Sequence, residues 1–142
     1  MAIKQLSAFV ENKPGKLSHM IKALSEANIN LRAMSIADTK DFGILRLIVS
    51  DIEKATAVLS EESLVTATDV VAVEMHDKAG ELYKILEVLN DAAINIEYMY
   101  AFTAATDRGA YVVFRVDNNK DAEDVLHSNG FITLNQSDMA AL

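Results

Sequence analysis

Apolar residues recur along the chain with two distinct periods. Alternating segments from Ile3 to Val10 and from Val70 to Met75 predict strands. Between them Leu17, Met20, Ile21 and Leu24 fall at i, i+3, i+4 and i+7, and Leu82, Ile85, Leu86 and Leu89 repeat that spacing. Each set places one apolar stripe on a helix. Asn28 and Ala93 mark the helix ends, and second strands begin at Ile29-Asn30-Leu31 and Ile94-Asn95-Ile96. Polar turns (Asp38 to Asp41; Thr106 to Arg108) lead through Gly43 or Gly109 into β-rich runs, Ile44–Val49 and Ala110–Val116, so each half contains a hairpin. Asp51 and Asp117 are the expected caps of short helices near 52–60 and 121–128. Final strands are expected near 64–68 and 131–136.

The two halves are copies. At an offset of 65 residues Lys13 matches Lys78, Gly15 matches Gly80, Leu17 matches Leu82, and Asn30 matches Asn95. One inserted residue then aligns Gly43 with Gly109 and Asp51 with Asp117. Read twice, the order β-α-β-β-α-β is the split βαβ, or ferredoxin-like, sandwich, with two helices on one face of an antiparallel sheet. The expected fold class is therefore α+β, with units at 1–68 and 69–142. A unit this small buries a modest share of its surface. With one proline and no Gly/Ser-rich linker, the expectation is one rigid two-unit body.

Composition narrows the function. The 142 residues are 51% hydrophobic, enough for a core, and carry a net charge of −8. Acidic surfaces repel phosphate backbones and anionic lipids, which speaks against nucleic-acid and membrane partners. Cysteine is absent, so disulfides, thiolate zinc sites and cysteine nucleophiles are excluded. The first residues lack the apolar region of a signal peptide, and a cytoplasmic location is expected. The three histidines have no metal-ligand spacing, and no cofactor is implied.

The segment Glu11-Asn12-Lys13-Pro14-Gly15-Lys16-Leu17, followed by Ala27-Asn28-Ile29-Asn30-Leu31, resembles an ACT domain. The second copy, Asp77-Lys78-Ala79-Gly80-Glu81-Leu82 with Ala92-Ala93-Ile94-Asn95-Ile96, resembles the same pattern but departs from it at Ala79, where the family favours proline. The resemblance covers nearly the whole chain. It implies a regulatory unit that binds an amino acid, with paired units side by side and ligands at the interface between them. By the pattern of serine-binding members, Asn12 or Asp77 contacts the ligand from one unit, and Asn95 or Asn30 from the other.

The residues offer their own reason for such a site. A glycine at a strand-to-helix turn lets backbone approach a ligand. The first-turn N–H groups of the next helix have no intrahelical partner and favour a carboxylate. Asn and Asp oxygens can accept from an ammonium group. The candidate ligand-binding residues are Asn12, Lys13, Pro14, Gly15, Lys16, Leu17 and Asn30 in the first copy. In the second they are His76, Asp77, Ala79, Gly80, Glu81, Leu82, Asn95 and Tyr98. Each has a plainer reading: Asn12 and Asp77 also suit helix capping, Asn30 and Asn95 suit satisfying nearby backbone, and His76 suits a strand end. Tyr98, Tyr100 and Phe102 alternate on one strand face, where packing competes with shaping a pocket. The intact proline-glycine loop favours the first copy.

The sequence points to a non-catalytic amino-acid-binding regulatory protein, with a regulatory subunit of an amino-acid metabolic enzyme as the alternative. No nucleophile–base constellation can be assembled. An acylphosphatase-like enzyme on this fold would need an arginine in its loop, where only Lys13 and Lys16 stand. RNA binding is opposed by charge. A homodimer is expected, because small units with free sheet edges favour pairing.

Overall fold

A computed structural model describes residues 3–38, 40–103 and 109–141. Among these are seven strands and five helices. Two compact units divide between Thr68 and Asp69, with Ile3 grouping with the second.

In the first unit, β1 (Ile3–Glu11) leads through a glycine turn to α1 (Lys16–Glu26). A hairpin of β2 (Leu31–Asp38) and β3 (Phe42–Val49) follows, then α2 (Ile52–Ser60). β3 lies between β1 and β2, antiparallel to both. Leu6, Ala8 and Val10 of β1 and Leu45, Leu47 and Val49 of β3 alternate onto one sheet face. There they meet Met20 and Leu24 of α1 and Ala55 and Leu59 of α2, so period 2 and period 3.6 converge on a single core. Burying such aliphatic side chains contributes about 1.5–3 kcal/mol each against the entropy of ordering the chain. The chain then returns beside β1: Phe9 N–H donates to the Leu64 carbonyl at 3.3 Å, and Ser63 Oγ donates to the Phe9 carbonyl at 2.6 Å.

The second unit repeats the plan. β4 (Val65–Met75) crosses the division between units, so the last strand of one copy and the first of the next are one element with no linker. α3 (Glu81–Asp91), β5 (Ile96–Thr103), β6 (Ala110–Val116) and α4 (Asn119–Ser128) follow. Val71, Val73, Val112, Phe114 and Val116 pack on Ile85, Leu89, Ala122 and Leu126. Even the irregularities are copied. A register shift falls between Leu31 and Ala33 on β2, and another between Ile96 and Tyr98 on β5. Asn28 and Ala93 end their helices at φ 57° and 55°, the left-handed region rarely entered by residues other than glycine.

Four expectations need correction. Strands β2 and β5 start two residues later than expected, which leaves Asn30 and Asn95 just ahead of them. Their main chains instead clasp the next crossover. Asn30 N–H donates to Ser50 Oγ at 2.9 Å and its carbonyl accepts from Ser50 N–H at 2.9 Å. Asn95 N–H donates to Asp117 Oδ1 at 3.2 Å. With Asp117 so engaged, α4 is capped by Asn118, whose Oδ1 accepts from Asp121 N–H at 3.0 Å, while Asp51 caps α2 as expected. Third, Val49 pairs with Leu31 as Val116 pairs with Ile96, which sets Gly43 against Ala110 and not Gly109. Last, the expected strand at 131–136 shrinks to β7 (Thr133–Leu134), followed by the unanticipated α5 (Gln136–Ala140). Asn135 and Asp138 close α5 with a reciprocal capping box that takes the chain out of strand geometry. The expected turn at 106–108 and residue 39 of the first turn lie outside the described residues.

Candidate ligand-binding site

The two glycine turns share one backbone. Gly15 and Gly80 sit at φ 84° and 92°, and each is the N-cap residue of the helix that follows. Lys16 N–H donates to the Lys13 carbonyl and His19 N–H to the Gly15 carbonyl. Glu81 and Lys84 repeat this with Lys78 and Gly80. A Cβ built on either glycine meets nothing within 4 Å, so backbone conformation, not crowding, demands glycine.

Neither α1 nor α3 has a side-chain cap, whereas α2, α4 and α5 are capped by Asp51, Asn118 and Asn135. The capping reading of Asn12 and Asp77 therefore fails. Asn12 is exposed, and its amide reaches the Lys40 carbonyl at 3.5 Å. The start of α1, with no acidic residue in its first turn, keeps its polarity for another partner, whereas α3 carries Glu81 there.

A groove of about 680 Å³ opens over the start of α1. Pro14, Gly15, Lys16, Phe9, Phe42 and Leu64 are among the residues that border it. His19 and Glu62 also border it, with His19 Nε2 2.7 Å from a Glu62 carboxylate oxygen. Lys13 turns to Glu11 at 3.3 Å. An equivalent but smaller groove, about 350 Å³, lies over α3 between Glu74–His76, Glu81, Lys84 and Gly130–Ile132. The equivalence extends to the strand edge, where Glu74 N–H donates to the Ile132 carbonyl at 2.8 Å as Phe9 does to Leu64.

The chemistry of the two grooves differs. At the 65-residue offset, Glu81 replaces Lys16, Lys84 replaces His19, and Glu74 replaces Phe9. Glu81 is buried at the first helical position, with a carboxylate oxygen 3.5 Å from Lys78 Nζ and 3.7 Å from Lys84 Nζ. The first groove keeps a lysine in that place.

Of the sequence candidates, Pro14, Gly15, Lys16, His76 and Glu81 line these grooves. Asn12, Lys13, Asp77, Ala79 and Gly80 lie in or beside the turns and are exposed. Leu17 and Leu82 turn the other way and pack against the cores. Asn30 and Asn95 lie past the far ends of α1 and α3. Eleven helical residues span about 16 Å, so neither can share a small ligand with the turn of its own unit. Tyr98 pairs with Arg115 on the sheet face away from the helices, where Phe102 stacks on Tyr111 with ring centroids 5.2 Å apart. Packing thus accounts for part of that aromatic row. Sequence reasoning missed Phe9, His19, Phe42 and Glu62–Leu64. His19 is exposed, and only the chain's return beside β1 brings Glu62 to it.

Away from the grooves, Lys120 Nζ donates to Asp124 Oδ2 at 2.8 Å on α4. That bond holds the Asp124 carboxyl below its ordinary value and the Lys120 ammonium above its own. Among the described residues no cluster of acidic or histidine side chains is suited to a metal ion, and no helix is long and apolar enough to cross a membrane.

Comparison with known proteins accords with this architecture. The family described as the ACT domain pair matches residues 1–142. A protein of solved structure from Bacteroides thetaiotaomicron is 42% identical, with a TM-score of 0.92 over 100% of this chain and 98% of that one. The ligand-free regulatory subunit of aspartate kinase from Thermus thermophilus is 15% identical, with a TM-score of 0.64 over 89% of this chain and 92% of its own. The same subunit from Thermus flavus is 14% identical, with a TM-score of 0.59 over 90% and 93%. At such identities the two subunits share the fold alone. No curated protein matches the chain in sequence. With the loop–helix motif, the ferredoxin-like units and the family match all spanning both copies, the chain belongs to the ACT domain pair family.

Proposed function

We propose that this protein is a non-catalytic regulator that binds a free α-amino acid at its first glycine turn. The observation that carries the reading is the uncapped start of α1, set under an open groove, in a chain whose α2, α4 and α5 are all capped. The ligand carboxylate takes the first-turn N–H groups and Lys16, and its ammonium takes oxygens of the surrounding turn. Asn30 and Asn95 join such a site only from a unit other than their own. Binding shifts the balance between conformations, and a partner reads the shift; couplings of this kind are worth about 1–3 kcal/mol.

A thermal-shift screen of the twenty amino acids tests this. A ligand at one hundred times its dissociation constant stabilises the folded state by about 2.7 kcal/mol, a rise of several degrees in Tm. No rise with any amino acid at millimolar concentration refutes the reading. A second reading is a regulatory subunit of an amino-acid metabolic enzyme. It draws on the Thermus thermophilus aspartate kinase subunit, whose chain is similar in extent. Co-purification of an enzyme with the tagged protein separates the two.

A further inference from the structure

The face of the first sheet turned away from the helices carries an apolar patch. Alternation on β1 and β3 points Ala8, Val10 and Leu45 into the helix-covered core, and Phe9, Phe42 and Ile44 the other way. Phe9 lies opposite Ile44, and one rung further Phe42 lies opposite Glu11. Phe9 and Phe42 are 45% and 51% exposed, and Leu64, whose carbonyl accepts from Phe9 N–H, is 67% exposed. Single exposed apolar side chains are ordinary, but several together, rimmed by charge, mark a surface that meets another molecule. Duplication did not copy the patch. On the matching rung of the second unit Glu74 lies opposite a buried Tyr111.

Charge says what covers it. The first unit holds eight basic and eight acidic residues and the second five and thirteen, so the whole net charge of −8 belongs to the second. A copy of the chain approaching through its first unit meets a neutral surface; through its second it meets like charge. The rim of the patch also suits a copy of itself. On the same face Arg46, opposite Ser7, stands one rung before Phe9 and Ile44, and Glu11 stands one rung after them. A twofold axis across the strands at the Phe9–Ile44 rung lays the Arg46 end of one copy over the Glu11–Phe42 end of the other, and the reverse. The contact of Glu11 with Lys13, 3.3 Å between exposed side chains, is weak enough to be exchanged.

We infer that this patch is where a second copy of the chain docks, sheet face to sheet face, with Phe9 and Phe42 at the centre and Arg46 of each copy beside Glu11 of the other. The inference does not depend on the amino-acid reading above. An interface of this extent is small, so the dimer is weak and depends on concentration.

The test is sedimentation equilibrium on the full chain from micromolar to submillimolar protein, with thermal melts of each variant. The expected result is a mass rising toward twice that of the chain. Phe42→Ser, at an exposed position, should weaken the dimer about tenfold or more, as loss of a central aromatic does. Arg46→Glu should weaken it as well, and adding Glu11→Arg to that variant should recover most of the loss. If Arg46→Glu does not fold, Phe42→Ser decides alone. A monomer at every concentration, or a dimer as tight in Phe42→Ser as in the parent chain, overturns the inference. A dimer weakened by Phe42→Ser but not recovered in the double variant overturns the twofold placement.

Discussion

In the first unit the helix after the glycine turn begins with Lys16, exposed at the edge of a groove; in the second it begins with Glu81, buried with its carboxylate facing two lysines. The main chains around the two turns make the same hydrogen bonds, so duplication preserved the geometry. The side chain at the first helical position diverged. A helix N-terminus favours negative charge. In the second unit that charge belongs to the chain, and the favourable interaction contributes to folding. In the first unit no acidic residue stands in the opening turn, and the same polarity is left for a ligand. One backbone thus supports two uses, according to where the anion comes from.

The most severe test of this contrast is Lys16→Glu, which gives the first groove the charge of the second. Losing a charge-assisted hydrogen bond costs about 1.5–3 kcal/mol, so affinity for the best amino acid should fall about 10- to 100-fold in calorimetry. Unaltered binding would mean that the two grooves do not differ for the reason given.

The hairpin glycines sharpen the comparison through stability. A Cβ on Gly109 would lie 2.8 Å from the Met75 carbonyl oxygen at φ +91°, whereas on Gly43 it would meet the side-chain tips of Val10 and Ile36 at 3.2 and 3.3 Å. Gly109→Ala should cost about 2 kcal/mol or more, lowering Tm by about 6 °C, because backbone cannot yield. Gly43→Ala should cost half of that or less, since methyl groups can shift. Equal losses in thermal melts would show that the two positions are equivalent after all. The smallest effect is expected from Glu81→Gln. Loss of an anion at the helix start costs about 0.3–1 kcal/mol, visible as a slight drop in Tm. If Glu81 is what distinguishes the grooves, the variant should also raise the calorimetric stoichiometry above that of the parent protein.

Much of the fold was legible in the chain because repetition doubled every signal. The apolar stripes Leu17–Leu24 and Leu82–Leu89 fell on helices, and the run Ala110–Val116 matched β6 residue for residue. Errors arose where local chemistry has two outlets. Asp117 is as good a cap as Asn118, but the Asn95 main chain engages it first. Gly43 and Gly109 look alike as letters, yet one makes room for side chains and the other holds a positive φ hard against the Met75 carbonyl. The C-terminal α5 was hidden because five residues are too few to show a helical period.

The amino-acid order by itself determined the duplication, the four longer helices with the hairpins between them, and the glycine turns, since these follow from local dihedral preference and the spacing of apolar side chains. The reversed charge at Lys16 and Glu81 was also readable there. Only the tertiary structure decided which residues gather around each turn. The pairing of Phe9 with Leu64 and of His19 with Glu62 joins residues more than forty positions apart. No local pattern encodes that meeting, because it depends on a strand returning across the sheet after a helix and a hairpin have packed on the same core.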